Sequence, residues 1–504
     1  MAATVAVVLA ANPSPRADAA ARGGDRPNII LIVTDDQTLA QLNEKTMPVT
    51  ARLLVGRGTS FNHYYASTAQ CCPSRAAMLT GQYGHNNGVL SNQDAYASLI
   101  GKGDTLPVWL RRAGYRTAHV GKYLNGYTDV APPEEVAPGW DEWHTVPNPG
   151  YYDYWISDNG RLKHHGTAEG DYVTTVLNRH AVQVIDELAP KRRPFYLQLD
   201  QRAPHTDRAP RGPGRCTEFA VPAPRDAGLF RNAALPRPPS FNEADMSDKP
   251  SFLRGLDRLS KSRVKRTRKR WGCALASLSE VDRGVQRILS ALQDFGEVQR
   301  TAILFTSDNG LFYGEHRIKA SKVLPYEEAE RLPLVMRVPR PYRNRQPRVA
   351  RLDQVAANID LAPTILDLAN AERCPGCRIM DGRSLLDLIN GNADEWPEDR
   401  GILLEYRVNQ ASRHATCHYT AIHTGELEYI EHSSLVSPKT GECEQVDERE
   451  LYDLAFDPFQ LENLCAEGCP NGPGQDELEE RLAVMRGCEG IAGRDPRPPS
   501  GYCE

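Results

Sequence analysis

The sequence predicts an α/β fold: a large, mostly parallel sheet sandwiched by helices, followed by a small C-terminal α+β unit with an antiparallel sheet. Three observations predict it. Short, continuously apolar runs of the buried parallel-strand kind recur through the first 370 residues. Helical patterns separate these runs, and that alternation is the mark of helices packed on both faces of one sheet. Beyond residue 400 the pattern shifts to closely spaced strand-like runs among many cysteines.

Asn28–Thr34 reads as the first buried strand. Ser74–Thr80 has helical character and ends at Gly81. Leu106–Arg112 reads as a helix, with Pro107 in its first turn and Gly114 just past its end. The next strands are Arg116–Val120, Phe195–Leu199 and Thr301–Thr306, and a long helix runs from about Ala274 to Leu292. Residues 206–250 are rich in proline with little periodicity, which suggests a surface excursion or lid. Arg254–Arg270 carries nine Lys/Arg against one acid, Asp257. The plain reading is a solvated helix face; the sharper one is a basic rim that attracts anionic substrates. Ile402–Tyr406, Tyr419–Ile422 and Glu428–Ile430 suggest the small antiparallel sheet. The expected organisation is therefore an N-terminal signal or disordered stretch at 1–25, a main domain at 26–371, a linker at 372–400 and a subdomain at 401–504, without internal repeats.

The 504 residues exceed what one core usually serves, which agrees with a large and a small unit. Apolar residues make up 40% and the formal net charge is -5, so nothing in the balance points to nucleic acid as a partner. No apolar run approaches the roughly 20 residues of a membrane span. Residues 2–11 are small and apolar, and Ala17-Asp18-Ala19 resembles a signal-peptidase site. The basic n-region of a signal peptide is missing, but the pattern points to a secreted or periplasmic protein. Twelve cysteines agree with an oxidising compartment. Eight follow residue 370: Cys374, Cys377, Cys417, Cys443, Cys465, Cys469, Cys488 and Cys503. Cys417 with Cys443 and Cys488 with Cys503 are expected couples, although spacing alone does not fix connectivity. Zinc is the rival for Cys374-x-x-Cys377 and Cys465-x-x-x-Cys469, but no histidine completes either in the usual spacing.

Polar groups collect just past the predicted strand ends: Asp35 and Asp36, Lys122, His205, and Asp308 with Asn309. Ligand sites of open α/β sheets form along that edge. Three carboxylates and an amide are hard oxygen donors, suited to Ca²⁺ or Mg²⁺ rather than zinc. Taken singly, each pair is a turn or a cap, His205 a structural histidine and the lysines surface residues; the convergence is what carries weight. Cys71-Cys72-Pro73-Ser74-Arg75 is the strongest signal. Cys71 falls at or just before a helix N-terminus, whose N–H groups favour an anion, and Arg75 adds planar cationic donors suited to a sulfuryl or phosphoryl oxygen. On the residues alone, Cys71 is a reactive thiol or half of a disulfide.

The stretch Cys71-x-Pro73-Ser74-Arg75 with Leu79-Thr80-Gly81 resembles the signature of type I sulfatases of the alkaline phosphatase superfamily. Asn28–Asp36, Gly121-Lys122, Ala203-Pro204-His205, Thr306–Gly310, Gly314-Glu315-His316-Arg317, Lys322, Tyr326-Glu327-Glu328, Asp381–Leu385 and Leu451–Leu454 resemble further family motifs, together spanning about residues 27 to 464. The resemblance implies an alkaline phosphatase-like fold and oxidation of Cys71 to formylglycine (3-oxoalanine) by a formylglycine-generating enzyme. It also implies that one hydroxyl of the hydrated aldehyde attacks sulfur and the other expels sulfate. Asp35, Asp36, Asp308, Asn309 and the modified Cys71 would surround a divalent cation, Ca²⁺ with Mg²⁺ as the alternative. Arg75, Lys122 and Lys322 would offset charge on the sulfuryl oxygens, and His205 or Lys322 would protonate the leaving alcohol. Lys122, His205, Lys322 and His316 are the expected substrate contacts. One departure stands out: many relatives have G-K-W-H-L where this chain has Gly121-Lys122-Tyr123-Leu124-Asn125, so the histidine's role is vacant or passes to another group such as Asn125. The form resembles the N-acetylglucosamine-6-sulfatase and arylsulfatase branch, so the expected substrate is a sulfated saccharide or a small sulfate ester. The rivals are a phosphonate monoester or phosphodiester hydrolase on the same fold, and a non-catalytic, disulfide-rich binding protein.

Overall fold

The computed structural model of the chain describes residues 26–504 except 94, 148–149, 192, 208–215, 217, 344–349, 372–375, 394–395, 412–414, 438, 470–473 and 496–501. The signal-like stretch 1–25 and Cys374 lie outside the described residues. The strands are β1 (Asn28–Thr34), β2 (Thr59–Phe61), β3 (Tyr64–Tyr65), β4 (Arg116–Gly121), β5 (Glu142–Thr145), β6 (Tyr154–Asp158), β7 (Arg161–His165), β8 (Phe195–Asp200), β9 (Thr301–Ser307), β10 (Leu334–Arg337), β11 (Arg351–Leu352), β12 (Ala356–Ala357), β13 (Ile402–Arg407), β14 (Thr416–His423), β15 (Leu427–Val436) and β16 (Cys443–Asp453).

Ten of them form one sheet in the order β11-β2-β10-β9-β1-β8-β4-β5-β6-β7. Its centre, β9-β1-β8-β4-β5, is parallel. Towards the edges, β10 pairs antiparallel with β9 and β2, and β6 pairs antiparallel with β5 and β7. All seven residues of β1 are buried. Because side chains alternate along a strand, Ile29, Leu31 and Val33 enter the core on one face, while Ile30 and Ile32 enter the other. The helices Leu106–Arg112 and Leu361–Leu368 cover the first face through Leu106, Trp109, Leu361 and Ile365. Val173–Leu188 and Lys261–Asp294 cover the second through Val176, Ile185, Leu278 and Val285. This is the helix-sandwiched sheet that the alternating pattern implies.

The long helix begins well before Ala274, at Lys261. Ser260 caps it, its hydroxyl accepting from Arg263 N at 3.4 Å. The basic stretch makes its first turns, where Arg263, Lys265, Arg266 and Arg268 are exposed and Thr267 is buried. No apolar periodicity marks those turns, so the sequence pattern starts late. The stretch read as a linker packs on the main core in its described part, burying Leu385, Leu388, Ile389 and Trp396.

The second sheet is the antiparallel meander β13-β14-β15-β16. It has a fourth strand, β16, and a flanking helix, Gln475–Met485, that the sequence pattern did not disclose. Its core is shared with Tyr65, Phe312 and Tyr326 of the main body. A buried, two-pronged ion pair reinforces the junction: Arg400 Nη1 and Nη2 each donate to Asp360 at 2.8 Å. Disulfides join Cys216–Cys273, Cys417–Cys443, Cys465–Cys469 and Cys488–Cys503. The two expected couples are present, and the bond between Cys465 and Cys469 replaces the zinc reading there. Cys71 and Cys72 are the free cysteines among the described residues. No helix among the described residues is long and apolar enough to cross a membrane.

Candidate active site

Four adjacent parallel strands deliver the polar cluster from their C-terminal ends. Asp35 and Asp36 follow β1, Asp308 and Asn309 follow β9, Asp200 ends β8, and Lys122 follows β4. Backbone bonds fix these ends: Asp308 N donates to Thr34 O at 3.0 Å, and Lys122 N to Asp200 O at 3.0 Å. Asp36 takes a left-handed backbone conformation with φ 69°, which turns the chain sharply off the strand. Its N–H donates to Asp308 Oδ1 at 3.2 Å.

Cys71 is the first residue of the helix Cys71–Thr80, which Gly81 terminates in the left-handed conformation. Its sulfur therefore sits at the positive end of ten aligned peptide dipoles. Asn92 Oδ1 accepts from the Cys72 N–H at 3.0 Å and satisfies one free donor of that end. Arg75 lies one turn along, on the same side of the helix. It donates through Nε to Asp308 at 2.8 Å and through Nη1 to Asp200 at 2.7 Å.

Charge is balanced tightly and out of water. Lys122 Nζ lies 2.7 Å from Asp35 Oδ2. Lys322 Nζ contacts Asp36 Oδ1, Cys71 Sγ at 2.7 Å and Asn309 Oδ1 at 3.4 Å. Asn309 Nδ2 donates to Asp36 Oδ1 at 2.7 Å. Burial works to raise the Asp35 carboxyl, but the charges of Lys122, Lys322 and Arg75 outweigh it and hold it well below the usual carboxylate range. Asp36 is likewise lowered against burial, mainly by Lys322. Asp308 is instead pushed up to about 6, by burial and then by the Asp35 charge. The Cys71 thiol is pushed up to about 11, again by burial and then Asp35. It is protonated near neutrality, so as encoded it is a poor thiolate nucleophile. Burial lowers His205 to about 3, which leaves it neutral.

Above this cluster opens a cavity of ≈ 440 Å³. Cys71, Lys122, His205 and Lys322 line it, whereas Asp35, Asp36, Arg75, Asp308 and Asn309 are buried beneath or beside it. One atom from each of Asp35, Asp36, Cys71 and His205 lies within 4.8 Å of the others. His316 is not on the wall: Glu243 Oε2 holds its Nδ1 at 2.7 Å and its ring stacks on Tyr326. His316 was expected to contact substrate; in the structure its neighbouring carboxylates, Glu243 and Glu328, hold it behind this cavity. Leu124 and Asn125 both line the cavity, with no histidine at 124.

Two further residues escaped the sequence reading. Asp200 accepts from Arg75, from His119 Nε2 at 2.9 Å and from Gln198 Nε2 at 2.8 Å. The rule that picked out Asp35 would have found it, had the strand Phe195–Leu199 been carried one residue further. Arg202 lines the cavity beside His205, and its Nε is buried without a hydrogen-bond partner. It stands in a loop and left no pattern to read. The arrangement is suited to an anion: Lys122, Lys322 and Arg202 face a concave site with a neutral imidazole and a helix N-terminus.

Comparison with known proteins agrees with this chemistry. The Sulfatase family model matches residues 27–371, and a model described as N-sulphoglucosamine sulphohydrolase, C-terminal, matches residues 314–486. A putative extracellular sulfatase Sulf-1 homolog of Caenorhabditis elegans is 34% identical over 72% of this chain, which spans 49% of that relative's length. The N-acetylglucosamine-6-sulfatase of Homo sapiens is 30% identical over 94% of this chain and 87% of its own length. A solved structure in complex with its substrate D-glucosamine-2-N,6-O-disulfate superposes with a TM-score of 0.72, at 24% identity, over 92% of this chain and 97% of its own; it supports the fold.

Proposed function

The chain belongs to the sulfatase family, and from that premise we propose that it hydrolyses sulfate esters, with a sulfated sugar as the substrate class. The observation that carries this reading is the placement of Cys71 between a helix N-terminus, Lys322 Nζ and the Asp35 carboxylate on the floor of a cationic cavity. The sugar assignment is supported by the N-acetylglucosamine-6-sulfatase among the relatives and by the polar and aromatic wall of Asn92, Asn125, Tyr127 and Thr145.

Cys71 is proposed to be converted to formylglycine by a formylglycine-generating enzyme. Its inert, protonated thiol favours this over direct thiolate chemistry. When hydrated, the aldehyde supplies two hydroxyls on one carbon, one to attack sulfur and one to expel sulfate. Asp35, Asp36, Asp308 and Asn309, with the formylglycine proposed at position 71, fit a hard divalent cation, because their oxygen donors meet at the ends of the adjacent strands β1 and β9, with the His205 imidazole beside Asp36. That cation, Ca²⁺ or Mg²⁺, would supply Lewis-acid polarisation of a sulfuryl oxygen. Arg75, through its bonds to Asp200 and Asp308, holds the metal-side carboxylates in register. Lys122 and Lys322 offset charge growing on the sulfuryl oxygens, and Lys322, with its raised pKa, carries a proton to donate to the leaving alcohol. His205, 3.7 Å from Asp36, is neutral and orients the substrate by hydrogen bonding. Export to an oxidising compartment is part of the proposal, supported by the disulfides.

The test is turnover by protein co-expressed with a formylglycine-generating enzyme, offered N-acetylglucosamine 6-sulfate, an aryl sulfate and an aryl phosphodiester. The account expects sulfate release that Cys71→Ala abolishes without loss of fold. Preferential turnover of the phosphodiester would transfer the site to the phosphonate and phosphodiester hydrolases.

A further inference from the structure

Three ligand-type side chains from three elements meet at the antiparallel edge of the main sheet. They are His144 on β5, Asp158 on β6 and His180 on the helix Val173–Leu188. One ligand atom from each lies within 4.8 Å of the other two. His144 Nδ1 is 2.8 Å from Asp158 Oδ1, and the two imidazole rings are 4.7 Å apart. A structural His–Asp pair accounts for His144. It does not account for His180, whose Nδ1 is buried without a hydrogen-bond partner, a situation native proteins rarely leave unexplained.

We propose that His144, Asp158 and His180 form a second metal site, structural in role, for a zinc-class divalent cation. Two imidazoles and a carboxylate suit zinc, and a water completes the tetrahedron. The oxygen donors of Asp35, Asp36, Asp308 and Asn309 beneath the cavity suit a hard cation instead, so the two sites favour different ions. Zinc contacts of about 2.0–2.2 Å set neighbouring ligand atoms roughly 3.4 Å apart, so His144 Nδ1 and Asp158 Oδ1 would part from 2.8 Å while the His180 ring, stacked on His144, turns to bring its nitrogen to the ion. Lys163 is the competitor: its Nζ pairs with Asp158 Oδ2, but its side chain is 58% exposed and free to swing into water. A bound ion would brace β5 and β6 against the helix. β5 runs directly into Thr145, Val146 and Pro147 of the cavity wall, so the brace would stiffen that wall from behind.

The test is calorimetric titration of the full chain with Zn²⁺ in saturating Ca²⁺, which keeps the oxygen site filled. One Zn²⁺ per chain is expected. His180→Ala and Asp158→Asn should each weaken binding by at least about 100-fold, more than loss of an outer-shell partner costs. Lys163→Ala should tighten it, and that exposed substitution keeps the test open where a ligand variant misfolds. Anomalous scattering at the zinc edge should place the ion between the three side chains. Absence of Zn²⁺ binding by the native chain, or binding unchanged by both His180→Ala and Lys163→Ala, would overturn the proposal.

Discussion

Lys322 concentrates the logic of the site in one atom, since its Nζ touches Cys71, Asp36 and Asn309 together. A group that offsets transition-state charge is worth about 10²–10³ in rate. Lys322→Ala is therefore expected to lower kcat/KM by about that factor, with circular dichroism unchanged; a loss below threefold would remove Lys322 from the chemistry. Lys322→Arg should not rescue it, because a planar fork cannot replace a compact ammonium among three partners. Legibility at this scale followed the strand ends. Asp35, Asp36, Lys122, Asp308 and Asn309 could be read because each ends an apolar run. Arg202 stands in a loop whose geometry depends on the rest of the fold, and the ion pairs of His316 could not be read because its partners, Glu243 and Glu328, are distant in sequence or hidden within a motif.

Among the elements, β4 shows how backbone geometry serves chemistry. Gly121 has φ 113°, and a Cβ there would lie 1.9 Å from Asp200 O, the same carbonyl that accepts from Lys122 N. Gly121→Ala must strain the backbone and part the two strands beside Lys122. It is expected to cost about 2–3 kcal/mol of stability and to depress turnover more than substrate affinity. Denaturant melts and steady-state kinetics would check this, and a variant of native stability and rate would contradict it. The central parallel strands were legible because both their faces are buried, which writes a continuous apolar run. β7 and β16 were not, since β7 has no fully buried residue and β16 buries only Glu450, Leu451 and Tyr452. The basic turns of the Lys261–Asp294 helix, expected as a solvated helix face, are mostly exposed; what the pattern did not show is that they continue the helix predicted from Ala274.

For the molecule as a whole, the second sheet is keyed to the main body by buried charge. His85 Nδ1 lies 3.2 Å from Glu405 Oε1 on β13, and its Nε2 lies 3.0 Å from Cys488 O. Burial would lower His85, but Glu405 and that carbonyl outweigh it and raise the imidazole to about 9. A raised folded-state value means the charged form stabilises the fold. That contribution is complete below the unfolded value near 6.5 and is lost as pH rises through about 9. It is on the order of 3 kcal/mol. Unfolding midpoints should fall between pH 6.5 and 9 in the native chain and fall less in Glu405→Gln; parallel profiles would contradict the coupling. The existence of two units was visible in the change of pattern after residue 400, but their joint core was not, because Tyr326 and Glu450 meet only in the folded chain.

The central claim is that Cys71 is a precursor and not the working group. The most direct measurement is tandem mass spectrometry of the peptide containing residues 71 and 72, from protein co-expressed with a formylglycine-generating enzyme. The account predicts an aldehyde at position 71, seen as loss of H₂S with gain of one oxygen, and an unmodified thiol at Cys72. An intact thiol at Cys71, or a disulfide between Cys71 and Cys72, in protein that releases sulfate at full rate would contradict it.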